Sequence, residues 1–154
     1  NFITLIPPNL YGPNDNYDSN NSHFFPALIK KIHLSKLKKN KFINLWGNGI
    51  AKRELMFSED FANSLIYFMN KKIKEPFINI GTGKKNTIKW YAKFIMKKMN
   101  IKLNIKYDKS KPDGMLVKCM DISLAKKYGW KPKYDINKAF DITYDNYLNK
   151  KFFK

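Results

Sequence analysis

Two residues of this chain stand out for the chemistry they could do. The sequence has 30 lysines and arginines, and Arg53 is the single arginine among them. A guanidinium fork can grip two oxygens of a diphosphate at once, which a lysine ammonium cannot. Arg53 also follows closely on a tight glycine turn, Trp46-Gly47-Asn48-Gly49. His23 is one of two histidines. An imidazole, with its pKa near working pH, suits general acid chemistry. At the start of a helical run it could equally be a terminal histidine bonded to backbone. His33 falls inside that run and reads as structural. A third feature is the stretch Pro7-Pro8-Asn9-Leu10-Tyr11-Gly12-Pro13-Asn14-Asp15-Asn16-Tyr17, closed by Asn21-Ser22-His23. It links an apolar run to a helix. Such a polar loop can hold a ligand at a strand's carboxyl end, or be a plain proline-rich connection.

The elements that must position these residues can be read from periodicity. Phe2 to Ile6 reads as a short buried strand, and residues 7–22 as a loop. From His23 to Lys39, the residues Phe25, Leu28, Ile29, Ile32 and Leu37 recur at helical spacing. Phe42 to Leu45 reads as a strand, and Glu54 to Phe57 returns as a second after the glycine turn. Ser58 is the expected cap of a helix running to about Lys71, with Glu59 and Asp60 in its first turn. A strand over Phe77 to Ile80, a helix over Thr87 to Met99 and a strand over Leu103 to Tyr107 follow. Two helices, Asp121 to Tyr128 and Asp135 to Leu148, complete the chain. Strands alternate with helices, so the class is α/β. No stretch reads as a linker, and residues 1–154 are treated as one compact piece.

Composition narrows the field. A chain of 154 residues, 44% hydrophobic and 16% aromatic, can build a core. Its formal net charge is +18. The positive residues are almost all lysine, dispersed and mixed with asparagine. This reads as a solvated lysine-rich surface that attracts anionic ligands, and nucleic acid is not the expected partner. No apolar run reaches the ~18 residues of a membrane span. The opening Asn1-Phe2-Ile3 carries no basic n-region, and a single cysteine allows no internal disulfide, so a cytoplasmic location is expected. No metal site is expected. Gly81-Thr82-Gly83-Lys84-Lys85-Asn86-Thr87 looks superficially like a phosphate loop, but the spacing fails, because no glycine stands directly before a Lys-Thr pair.

Asn9-Leu10-Tyr11-Gly12-Pro13 resembles the strand-end motif of the extended short-chain dehydrogenase/reductases. Within them, the ordered set from Pro7 to Asn16, Asn21-Ser22-His23, Pro26 to Ile29, Trp46 to Gly49 and Arg53-Glu54 resembles the GDP-L-fucose synthase family. Asn79 to Gly83, Ser110 to Gly114 and Asp121 to Pro132 continue that resemblance. It covers the chain in order and corresponds to the carboxyl-terminal half of the family's length. It implies the last strands of a Rossmann-type sheet plus a small α/β substrate-binding domain. The implied activity is NADPH-dependent 3,5-epimerisation and 4-reduction of a GDP-4-keto-6-deoxy sugar, in an enzyme that is homodimeric when whole.

By that resemblance Pro7, Pro8, Asn9, Leu10 and His23 contact NADP(H), and His23 is the catalytic acid. Pro8 stands where the family has a small polar residue, so one N–H contact is lost. Lys31, Trp46, Arg53 and Asp113 contact the GDP-sugar. Lys31 replaces an arginine. Trp46 could pack on a sugar or base, or be a core residue. Asp113 could accept sugar hydroxyls, or simply form an Asp-Gly turn. The glycine-rich fingerprint, the Tyr-x-x-x-Lys pair and the catalytic cysteine are expected upstream of Asn1. Cys119 does not fall on that cysteine. Alone, the chain is not expected to transfer hydride. A related epimerase or reductase for another nucleotide sugar, such as one making a GDP-colitose-type product, shares most of these motifs.

Overall fold

The computed structural model describes residues 2–18, 21–112 and 114–149. In chain order the elements are β1 (Thr4–Ile6), β2 (Asn9–Tyr11), α1 (Phe24–Leu37), β3 (Phe42–Trp46), β4 (Lys52–Phe57), α2 (Ser58–Met69) and β5 (Phe77–Asn79). Then follow β6 (Lys85–Thr87), α3 (Ile88–Lys98), β7 (Asn104–Asp108), β8 (Val117–Lys118), α4 (Ser123–Lys127) and α5 (Ile136–Asn149). The α/β class stands. In place of one compact piece there are two units, each assembled from separate segments. The first takes Asn1–Asp15, Glu54–Lys84 and Cys119–Lys154; the second takes Asn16–Arg53 and Lys85–Lys118.

In the first unit β1 pairs in parallel with β5, Leu5 opposite Ile78. β2 pairs in parallel with β4, Leu10 opposite Met56. Parallel strands need both faces covered. Met56, Phe68, Ile78, Ile80, Ala125 and Trp130 form a core that covers one face, with Leu5 and Leu10 packed against it. Thr4, Ile6 and Phe77 on the other face of the β1–β5 pair are exposed, so the expected buried strand is buried on one side. Gly12 ends β2 where a side chain would collide with Ser58 at the start of α2, so the glycine of the Asn-Leu-Tyr-Gly-Pro string is there for close approach.

In the second unit α1 packs on α3 and β3. Phe25, Ile29 and Ile32 of α1 are sealed inside, as are Tyr91 and Ile95 of α3. The rings of Phe24 and Phe25 each lie 5.7 Å from that of Tyr91. β3 pairs in parallel with β7, and the start of β4 pairs in parallel with β8.

Several expectations change. The segment 7–22 is not all loop, because residues 9–11 form β2. The two strands flanking the glycine turn are not partners; β3 joins β7, while β4 joins β2, β6 and β8. Ser58 does not cap α2. Phe57 holds the cap position and Ser58 is the first helical residue. Leu37 is 61% exposed and takes no part in the core.

Candidate functional site

The second unit contains a cavity of about 590 Å³. Three of the substrate residues expected from sequence, Lys31, Trp46 and Arg53, line it together. Each is delivered by a different element. Lys31 projects from α1, on the stripe that also carries Phe24, Leu34 and Lys38 into the lining. Trp46 ends β3, and Arg53 stands at the start of β4.

Arg53 is half-buried. Its Nη1 donates to the Lys52 carbonyl at 2.9 Å and to the Met115 carbonyl at 2.6 Å. The guanidinium therefore ties β4 to the segment after the Lys-Pro-Asp-Gly loop. Gly114, at φ +67°, keeps that segment close: a Cβ there would lie 3.4 Å from Arg53 Nη2. Trp46 is 66% exposed, so it is not a core residue, and Lys111 Nζ stands 5.8 Å from its ring centroid. Lys31 Nζ donates to the Asn44 carbonyl at 2.8 Å, and burial holds its ammonium below the usual lysine range. A partly desolvated ammonium gains more from an anion than a free one does.

Lys30, beside Lys31 on α1, is also half-buried in the lining, with Nζ donating to the Tyr17 carbonyl at 2.9 Å. Lys38 lines the cavity too and was missed from the sequence. The signal for Lys38 was present: 24, 31, 34 and 38 fall on one helical stripe. Lys30, Lys31, Lys38 and Arg53 bring four cations to the cavity, with no carboxylate among the described lining residues. Phe24, Leu28, Leu45 and Ile88 give it apolar surface. Such a wall suits a ligand with an anionic middle and a flat or apolar end.

His23 holds the cap position of α1 but makes no side-chain capping bond, and it is exposed. It is not in the lining, although its neighbours Ser22 and Phe24 are. His33 is 7% exposed, and burial with Lys36 nearby lowers its pKa. Asp113 lies outside the described residues; its neighbour Pro112 lines the cavity.

Pro7, Pro8, Asn9 and Leu10 belong to the first unit and are half-buried. They follow the carboxyl end of β1, where ligand crevices open in parallel sheets. Asn9 Nδ2 donates to the Glu54 carbonyl at 3.3 Å. Nearby in that unit is a group the sequence did not reveal. Glu54 is fully buried. Its Oε1 accepts from the N–H groups of Thr82 at 2.5 Å and Gly83 at 2.7 Å and from the Thr82 hydroxyl at 3.1 Å; its Oε2 accepts from the Met120 N–H at 2.7 Å. The Gly81-Thr82-Gly83 turn thus spends its amides on an internal carboxylate, which agrees with rejecting it as a phosphate loop. Among the described residues no cluster of His, Cys, Asp and Glu could hold a metal, and no helix is long and apolar enough to cross a membrane.

Comparison with known proteins agrees with this architecture. The profile of the NAD dependent epimerase/dehydratase family matches residues 1–81. GDP-L-colitose synthase of Yersinia pseudotuberculosis is 42% identical over 151 residues, covering 97% of this chain and 49% of that protein. GDP-L-fucose synthase of Sinorhizobium fredii is 34% identical over 149 residues, 97% of this chain and 48% of that protein. The structure of MlghC, a GDP-mannoheptose C4 reductase from Campylobacter jejuni with NADP bound, matches with a TM-score of 0.83 at 28% identity, covering 97% of this chain and 53% of that one. The chain spans about half the length of these relatives. With the matched segment running over residues 1–81, from β1 past the end of β5, the chain belongs to the NAD dependent epimerase/dehydratase family.

Proposed function

We propose that this chain is the GDP-sugar-binding part of an NADP(H)-dependent 3,5-epimerase and 4-reductase that converts GDP-4-keto-6-deoxy-D-mannose to GDP-L-fucose. The observation that carries the reading is the meeting of Lys31, Trp46 and Arg53 in one cationic cavity. In this reading Arg53, Lys30, Lys31 and Lys38 face the diphosphate, Trp46 packs on a ring, and Asp113 accepts sugar hydroxyls. A C4 keto group acidifies the protons at C3 and C5. His23, exposed and without a capping bond, supplies the proton that completes each inversion.

Pro7, Pro8, Asn9 and Leu10 fit the nicotinamide side of NADP(H) in part. They lie after a strand's carboxyl end, but neither proline offers an N–H. When bound, NADP(H) would supply hydride to C4. The whole enzyme is proposed to be a cytoplasmic homodimer.

A second reading differs in the sugar alone. Identity is higher to the GDP-L-colitose synthase, at 42%, than to the GDP-L-fucose synthase, at 34%. That difference favours a related 4-keto sugar with the same GDP handle.

Calorimetric titration of GDP, GDP-mannose and UDP tests the shared part. The guanine nucleotides are expected to bind at least about tenfold more tightly than UDP. Arg53→Ala is expected to weaken them about 10- to 100-fold through loss of charge-assisted bonds. Equal binding of UDP, with no effect of the substitution, would sink both readings. Turnover of the two keto sugars by the full-length enzyme then separates them.

A further inference from the structure

A second cavity, of about 550 Å³, lies in the same unit and shares no lining residue with the first. Met96, Ile105 and Tyr107 contribute to an apolar floor between α3 and β7. Lys89, Lys93, Lys97 and Lys102 also line it. The first three recur every four residues along α3, so they stand in one row about 6 Å apart. The described lining has no carboxylate. Asp108, at the end of β7, is occupied with Ser110: its Oδ1 accepts from the backbone N–H at 3.1 Å and from the hydroxyl at 2.5 Å.

The second observation is the sheet beside this row. Among the described residues β7 pairs with β3 alone, in a two-stranded sheet. Its other edge has no strand partner, and such an edge offers backbone donors and acceptors to an extended chain. In an added strand, residues facing the same way recur every ~6.6–6.8 Å. That interval nearly equals the spacing of the lysine row.

The geometry points to a docking site for an extended acidic peptide that adds a strand to the free edge of β7. Its alternate residues are Glu or Asp and meet Lys89, Lys93 and Lys97. Its backbone bonds to β7, while the stems of its acidic side chains cover Met96, Ile105 and Tyr107. A nucleic acid would use the charge but not the strand edge, and the site offers no arginine and no row of aromatic platforms.

The test uses a labelled eight-residue peptide of alternating Glu and Thr, with binding read by fluorescence anisotropy at low salt. Amide hydrogen exchange is followed over residues 104–108. The comparators are the same peptide N-methylated at alternate residues, and a uridine RNA oligomer. The Lys93→Glu/Lys97→Glu variant is compared with Lys106→Glu, whose lysine lies outside the cavity with Nζ 3.8 Å from the Phe42 ring centroid. Circular dichroism and the urea midpoint establish that both variants are folded.

The Glu-Thr peptide is expected to bind and to slow exchange over residues 104–108. Binding should weaken at least tenfold with N-methylation and in Lys93→Glu/Lys97→Glu, and by less than twofold in Lys106→Glu. Undiminished binding of the N-methylated peptide, tighter binding of the RNA in competition, or no binding by the folded protein would each overturn the assignment.

Discussion

Arg53 and Glu54 are neighbours on β4, and their charges have different fates. The guanidinium of Arg53 takes two carbonyls and reaches a cavity, whereas the carboxylate of Glu54 is fully enclosed by backbone donors. Arg53 was legible in the sequence because it is one arginine in a field of lysine, and the fork geometry has a use that lysine cannot meet. Glu54 was not legible. Its partners lie 28, 29 and 66 residues away, and no local pattern announces them. Replacing it leaves buried donors without acceptors, which is among the costly single changes. Glu54→Gln turns an amide group toward backbone N–H groups, and it should lower stability by about 2–4 kcal/mol in urea unfolding. An unchanged midpoint would mean that the cradle contributes little.

At the scale of elements, α1 and α3 were legible because their buried residues repeat at helical intervals. β2 was not, since it is three residues long and sits among prolines and asparagines that read as loop. β6 and β8 are three and two residues long, and their pairing depends on β4 rather than on their own sequence. The helix starts differ in how they are finished. Thr87 caps α3, its hydroxyl oxygen accepting from the Trp90 N–H at 3.0 Å. His23, in the same position on α1, makes no such bond. Thr87→Ala should therefore cost about 1 kcal/mol, while His23→Ser should add about 0.5–1 kcal/mol by installing a cap. Chemical denaturation of both variants checks the pair. If His23 serves as the proposed proton donor, the stabilised variant of the full-length enzyme should also lose epimerisation.

For the whole molecule, charge is the dominant fact. At +18 the folded chain repels itself. Raising NaCl from about 20 to about 200 mM at neutral pH should raise the melting temperature by screening that repulsion. Acid should act in the opposite direction, for two reasons. Protonating the carboxylates leaves 30 lysine and arginine charges unopposed. Several carboxylates are also held below their usual range: Glu75 first by the Tyr128 hydroxyl, Asp108 by the Ser110 hydroxyl, Asp121 by the Ser123 backbone N–H and Asp135 by the Lys138 backbone N–H. A group whose folded pKa is depressed adds stability above its unfolded pKa and loses it as pH falls toward the folded value. The urea midpoint should therefore be nearly flat between about pH 6 and 8 and fall below about pH 4. The division into units has a different kind of consequence. The chain passes between them at four places, after Asp15, Arg53, Lys84 and Lys118. A single genetic crossover anywhere inside segments 16–53 or 85–118 delivers only part of the cavity-bearing unit. Moving its specificity into another scaffold takes two inserts exchanged together, so recombination would have to inherit this pocket as a linked pair of cassettes.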